Sequence, residues 1–171
     1  SFRKPFEPLL ANTVPFVWND LPRFKDYLNS RGDRILAIIL EPIQGSGGVV
    51  PIDKAFANEI MEAKKRYHFY LVCDEVQSGL GRTGKYFAYE HFSLLPDMIL
   101  LGKALGGGLP LGAALMLGET STILGKGDHG STFAPNPVAL AGSHDTTSEA
   151  FIQREQKYFT EGIQKLVDQT H

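Results

Sequence analysis

Four short apolar runs constrain this chain more than any other feature: Ile35 to Leu40, Leu71 to Cys73, Met98 to Leu101 and Ala113 to Leu117. They are continuous rather than alternating, which marks strands buried on both faces. The first breaks off at Glu41-Pro42, the second at Asp74-Glu-Val-Gln77 and the third at Gly102-Lys103. Between the first two, Asp53 is placed to cap a helix in which Phe56, Ile60, Ala63 and Tyr67 recur at i, i+4, i+7 and i+11. Strands separated by helical stretches argue for βαβ units. The expected fold is therefore α/β, a mostly parallel sheet with flanking helices.

The rest of the chain fills in around that frame. Pro5, Pro8 and Pro15 predict an extended lead-in, and Asp20 predicts a short helix with Pro22 in its first turn, Phe24 and Leu28 on one face and Gly32 at its end. Gln44-Gly-Ser-Gly-Gly48 must be a loop, and a second loop runs from Gly125 to Pro137. Thr146 to Val167 reads as one long helix, with Thr146 and Glu149 as a capping box and Phe151, Phe159, Ile163 and Leu166 on its apolar side.

Composition excludes several classes. A chain of 171 residues with 43% hydrophobic and 21% charged residues is globular, of one-domain size. A net charge of −2 without a basic block argues against nucleic acid. No apolar run is long enough to cross a bilayer, and Ser1-Phe-Arg-Lys-Pro lacks the order of a signal peptide. The missing initiator methionine points to an excised piece. The one cysteine, Cys73, lies in an apolar run and fits a reducing, cytoplasmic compartment. No histidines are paired at ligand spacing, so no metal site is expected.

Chemistry concentrates where the runs end. Open α/β sheets bind ligands beyond the carboxyl ends of their strands, and Asp74, Gln77 and Lys103 fall there. Taken alone, Lys103 is a surface amine in a turn. Gly102 and Gly106 to Gly108 would let the backbone approach a ligand, and burial beside the strand would lower the pKa of a nucleophilic amine. Asp74 directly follows an apolar run and needs a cationic partner. That partner is either Arg82 or Lys85 in a structural ion pair, or a protonated pyridine nitrogen, the arrangement of pyridoxal phosphate enzymes. A rival is a nucleotide loop: Gly79-Leu-Gly-Arg-Thr-Gly-Lys85 fits phosphate-loop spacing up to its lysine, but Tyr86 stands where Ser or Thr would hold magnesium.

The ordered series Glu41-Pro-Ile-Gln-Gly45, Asp74-Glu-Val-Gln-Ser-Gly-Leu-Gly-Arg-Thr-Gly84, Pro96-Asp97, Leu101-Gly-Lys-Ala-Leu-Gly-Gly-Gly-Leu-Pro-Leu-Gly-Ala113 and His129-Gly-Ser-Thr-Phe133 with Asn136-Pro137 resembles the class III aminotransferases, nearest to the acetylornithine and ornithine enzymes. The resemblance implies a fold type I transferase that uses pyridoxal 5'-phosphate to move an amino group from an amino acid or ω-amino acid to a keto acid. It implies that Lys103 carries the cofactor aldehyde, Asp74 pairs with the ring nitrogen, Gln77 bonds the phenolic oxygen and Val76 packs on the ring. Glu75 belongs to the same cofactor-binding stretch and, with Arg82, Thr83 and Gly84, is read mainly as holding the loop. Glu41 is either close to the site or bonded to loop amides, and His129 is positional.

The resemblance also implies a homodimer in which Thr132 binds the neighbouring subunit's cofactor phosphate and Ser131 lies near the substrate. An aminomutase or decarboxylase of the same superfamily shares these residues, and a non-catalytic remnant would too. Two departures stand out: Ser46 replaces an acidic residue that helps choose between α-amino and terminal-amino substrates, and Ala134-Pro135 replaces two glycines in the phosphate motif. The chain corresponds to the middle of a family member. Residues 1–145 match part of the large domain, and 146–171 lead toward a C-terminal small domain.

Overall fold

The computed structural model describes residues 11–132 and 136–148, together with 150, 152–154, 157, 161, 164, 165 and 168. In chain order they form α1 (Leu21–Arg31), β1 (Ala37–Leu40), β2 (Ile43–Gln44), β3 (Val50–Pro51), α2 (Lys54–Tyr67), β4 (Tyr70–Asp74), β5 (Met98–Leu101), β6 (Ala113–Met116) and α3 (Pro137–Thr146). Short 3-10 turns at Gly32–Arg34, Ala88–Phe92, Lys103–Gly106 and Gly118–Thr122 link them. The main sheet has the order β1-β4-β5-β6; β1, β4 and β5 are parallel, and β6 returns antiparallel to β5. Each apolar run supplies one strand, and the α/β fold with a mostly parallel sheet forms as expected.

Register and alternation decide which side chains share a face. Leu40, Leu71 and Cys73 fall on one side and pack against Phe24 and Leu28 of α1 and Phe56, Ala57, Ile60 and Ala63 of α2. Ile99 and Leu101 continue that side, beneath Leu80, Phe87 and Tyr89. Burial of each such large side chain stabilises the fold by roughly 1.5–3 kcal/mol. The other side is different. Ile39, in register with Val72, is 67% exposed, and Asp74 lies on that side two residues beyond Val72.

Asp97 holds the register. Its Oδ2 accepts the Leu71 N–H at 2.7 Å, its Oδ1 pairs with the Lys64 ammonium at 2.9 Å, and its carbonyl accepts Leu117 N–H and Thr120 Oγ1–H. One residue thus ties β4, α2 and the strand after β5 together. Its effect is felt at the far end of the strands, where the parallel ladder delivers Asp74 opposite Leu100.

Local differences from expectation have local causes. Asp20 caps α1, accepting Arg23 N–H at 3.2 Å. Gly32 caps the end of that helix, its N–H donating to Leu28 O, and packs against Tyr67, where a Cβ would lie 2.5 Å from the ring; Tyr67 is only partly buried. Asp53 stands at the start of α2 without capping it, and its own amide donates to Asn19 Oδ1 at 2.9 Å. The glycine loop after β1 carries the hairpin of β2 and β3 across Gly48, whose φ is +114°.

The largest correction concerns Thr146. It ends α3, an unexpected helix, instead of starting the next one; the chain turns at 147–148, and the described residues from 150 onward are helical. Asn136 caps α3 by accepting Val138 and Ala139 N–H, with Pro137 at its first position. Residues 1–10, Ala134, Pro135, Glu149, Phe151, Phe159, Ile163 and Leu166 lie outside the described residues.

Candidate active site

β4 and β5 end at the same edge of the sheet, and the ladder extends one residue further through Glu75 N–H donating to Leu100 O at 2.9 Å. Glu75 itself turns into the core, 2% exposed, where Oε2 accepts the Ser78 hydroxyl at 2.7 Å and Oε1 accepts Tyr89 N–H at 2.8 Å. Both oxygens are thus occupied by the loop that follows the strand. The neighbours of Glu75 alternate to the opposite side. Asp74 is half-buried there, and its Oδ1 accepts Val76 N–H at 3.0 Å in a turn closed by its own side chain.

Asp74 makes no ion pair among the described residues. The structural pairing with Lys85 does not form, since that ammonium donates to the Glu90 carbonyl at 3.3 Å. A carboxylate at a strand end without a cation is an available anion.

Lys103 opens the turn that leaves β5. Its φ is +46°, in the left-handed region, which costs a non-glycine residue roughly 1–2 kcal/mol. Such outliers concentrate at functional sites. Its side chain is exposed, which corrects the expectation that the strand would bury it, because the turn carries residue 103 off the sheet. Gly102 leaves room beside Val76: a Cβ there would come 3.2 Å from Val76 Cγ1. Gly45 leaves room beside Gln77 in the same way, with a Cβ 2.6 Å from Gln77 Cγ. Glu41 braces this second contact by accepting Gly45 N–H at 3.1 Å, so it is bonded to the loop.

Asp74, Val76, Gln77 and Lys103 therefore gather at one edge, backed by the glycines at 45 and 102. Ser131 and Thr132 are exposed on the segment before α3, as is His129. Ser46 is exposed on the neighbouring loop. The sequence reading missed α3 as part of the site's support. Its Gly142 approaches the Lys103–Gly106 turn closely, and its Thr146 hydroxyl donates to the Leu105 carbonyl at 2.9 Å. The Asn136-Pro137 pair, a helix-start signal, could have revealed it.

Other groups are unsuited to chemistry. Burial pushes the Cys73 thiol up to about 12, with the Glu75 charge adding to it, so no thiolate forms near neutrality. Burial also raises the Tyr89 phenol, helped by Glu90. The glycine loop after Ser78 leads to the 3-10 turn Ala88–Phe92 and not to an α-helix, so it lacks the helix N-terminus a phosphate loop uses. No metal-binding group of three or more His, Cys, Asp or Glu occurs among the described residues. No helix among them is long and apolar enough to cross a membrane.

The fold is similar to that of the ornithine and acetylornithine aminotransferases. Acetylornithine aminotransferase of Elizabethkingia anophelis superimposes with a TM-score of 0.77 at 32% identity, covering 96% of this chain and 43% of that one. Ornithine δ-aminotransferase of Plasmodium falciparum does so with a TM-score of 0.75 at 36% identity, covering 88% and 38%. The chain belongs to the class III aminotransferases, whose family model matches residues 18–170. In sequence, it is 41% identical over 164 residues to acetylornithine aminotransferase of Haemophilus ducreyi, covering 96% of this chain and 40% of that protein. The chain thus spans less than half the length of these relatives.

Proposed function

We propose that this chain is the cofactor-holding part of a pyridoxal 5'-phosphate-dependent aminotransferase. The observation that supports the reading is that β4 and β5 end side by side: Asp74, without an ion pair among the described residues, lies opposite Leu100, and Lys103 follows three residues later in a left-handed turn at the same glycine-lined edge. The residues fit the cofactor. Asp74 offers an anion to a protonated ring nitrogen, Lys103 offers a primary amine to an aldehyde, Val76 offers an apolar face beside Gly102, and Gln77 offers an amide donor. Bound pyridoxal phosphate supplies the electron sink for cleavage at the substrate's α-carbon or ω-carbon.

The chain's own residues would do the rest. Lys103 Nζ would hold the cofactor through its aldehyde carbon and, when freed, would carry the proton from the substrate carbon to that aldehyde carbon, as base and then acid. The Asp74 carboxylate keeps the proton on the ring nitrogen, and the Gln77 amide orients the phenolic oxygen. Glu75 contributes by pinning the strand end through Ser78 and Tyr89.

The substrate class is an amino acid or ω-amino acid of the ornithine or acetylornithine kind, with a keto acid as acceptor, and the relatives named above support it. The working form is a cytoplasmic homodimer in which Thr132 reaches the partner's cofactor phosphate and Ser131 the substrate. The isolated chain, which spans less than half of its relatives' length, has no transaminase activity. Mixing full-length protein with pyridoxal phosphate tests the core of this. Visible absorption that Lys103→Ala abolishes is expected; a wild type that stays colourless would refute the assignment.

A further inference from the structure

The backbone of Lys103 is left-handed, and an isolated lysine would relax out of that region unless its surroundings fix it. Two hydrogen bonds act within the turn, Leu105 N–H to Gly102 O and Gly107 N–H to Ala104 O, both at 3.0 Å. Leu105 is buried beneath it. A third restraint comes from outside. Thr146, in the last turn of α3, directs Oγ1 at the Leu105 carbonyl at 2.9 Å, closer than the carbonyls of its own helix at Gly142 and Ser143, each at 3.2 Å. A hydroxyl carries one proton, so the nearest acceptor is favoured.

The packing is built for this approach. A Cβ at Gly142 would lie 3.1 Å from the Gly106 carbonyl oxygen, and a Cβ at Gly107 would lie 3.6 Å from the Thr146 methyl. Backbone meets backbone, and the threonine fits where the two elements touch. Resting on the pyridoxal phosphate reading, we propose that Thr146 is a positioning residue for Lys103: its hydroxyl fixes the peptide group two residues after the lysine and so holds the strained backbone that aims the amine. Thr146 touches neither cofactor nor substrate. Its loss lets the turn relax and swings the amine off target, which affects bond formation at Lys103 more than substrate binding.

The test uses the full-length protein titrated with pyridoxal phosphate, reduced with borohydride, and scored by mass spectrometry for cofactor fixed on Lys103. Thr146→Val keeps the shape and loses the hydroxyl; it should raise the half-saturating cofactor concentration about fivefold and lower kcat with the KM for the amino donor unchanged. Thr146→Ser keeps the hydroxyl and should stay close to wild type. If Thr146→Val titrates like wild type, or if Thr146→Ser is as impaired as Thr146→Val, the proposal is overturned. A valine variant that does not fold is replaced by Thr146→Ala against Thr146→Ser, and equal titrations of those two overturn it equally. Wild-type protein that fixes no cofactor on Lys103 removes the cofactor reading and this inference with it, whereas normal wild-type trapping with indifferent variants removes the inference alone.

Discussion

The two faces of the central sheet are made of similar residues and treated in opposite ways. Leu71, Cys73 and Ile99 lie on the face under α1, α2 and the aromatic segment, at most 2% exposed. On the other face of this chain Ile39 is 67% exposed beside a buried Val72, and Asp74 follows Val72 at the strand end. In this chain the first, sealed face sets strand position by packing, and Asp74 leaves the second face at its strand end. Within one β-strand the two roles alternate residue by residue, so burying Glu75 through Ser78 and Tyr89 is the same event as turning Asp74 outward.

If that division is right, substitutions should sort by face. Ile60→Ala on the sealed side should cost about 2–5 kcal/mol in denaturant unfolding of this chain, by lost burial and the cavity left behind. Asp97→Ala should come next, at roughly 1–3 kcal/mol, because Leu71 N–H loses its partner and the Lys64 ammonium keeps only the Leu95 carbonyl. Comparable losses at Ile39 and Ile60 would break the comparison.

A pH series sharpens it. The Cys73 thiol is raised from an ordinary 9.0 to about 12 in the fold, so its contribution is fully present below pH 9 and is lost as pH rises toward about 12. Unfolding midpoints should therefore fall above pH 9, and Cys73→Ala should remove part of that slope; an unchanged slope would mean the thiol is not sealed. Smallest on stability should be Ile39→Ser and Asp74→Ala, within about 0.5 kcal/mol in this chain. In full-length protein the second of these should nonetheless shift and weaken the visible absorption with pyridoxal phosphate, which Lys103 alone would still produce, and an unchanged spectrum and titration would detach Asp74 from the site.

The same contrast explains what could be read from the letters alone. The sealed side was legible because packing imposes a period: the four strands of the main sheet, the Phe56, Ile60 and Ala63 stripe, and the acid and lysine at the strand ends followed from apolar runs and where they stop. The β2–β3 hairpin, which takes in Gln44, instead falls where the glycines predict a loop. α3 escaped because its buried contact is Ala139 and its partner surface is the backbone of Gly106 and Gly107, so no stripe of large side chains marks it. Thr146 could pass for a helix cap because hydroxyls favour caps; its actual partner, the Leu105 carbonyl, is 41 residues away in sequence. Lys103 was expected to be buried because the apolar run before it is, and the left-handed turn that carries it outward has no signature in a lysine. Whether Thr132 reaches a partner's cofactor depends on a second copy of the chain, a contact that spacing within one sequence does not encode.

The central claim is that one pyridine ring is gripped between Asp74 and Lys103, and a crystal structure of the full-length protein with pyridoxal phosphate measures it directly. The account predicts Lys103 Nζ bonded to the cofactor's aldehyde carbon and an Asp74 oxygen about 2.7–2.9 Å from the ring nitrogen. A cofactor seated elsewhere, or one whose ring nitrogen faces away from Asp74 while another lysine holds the aldehyde, would contradict it.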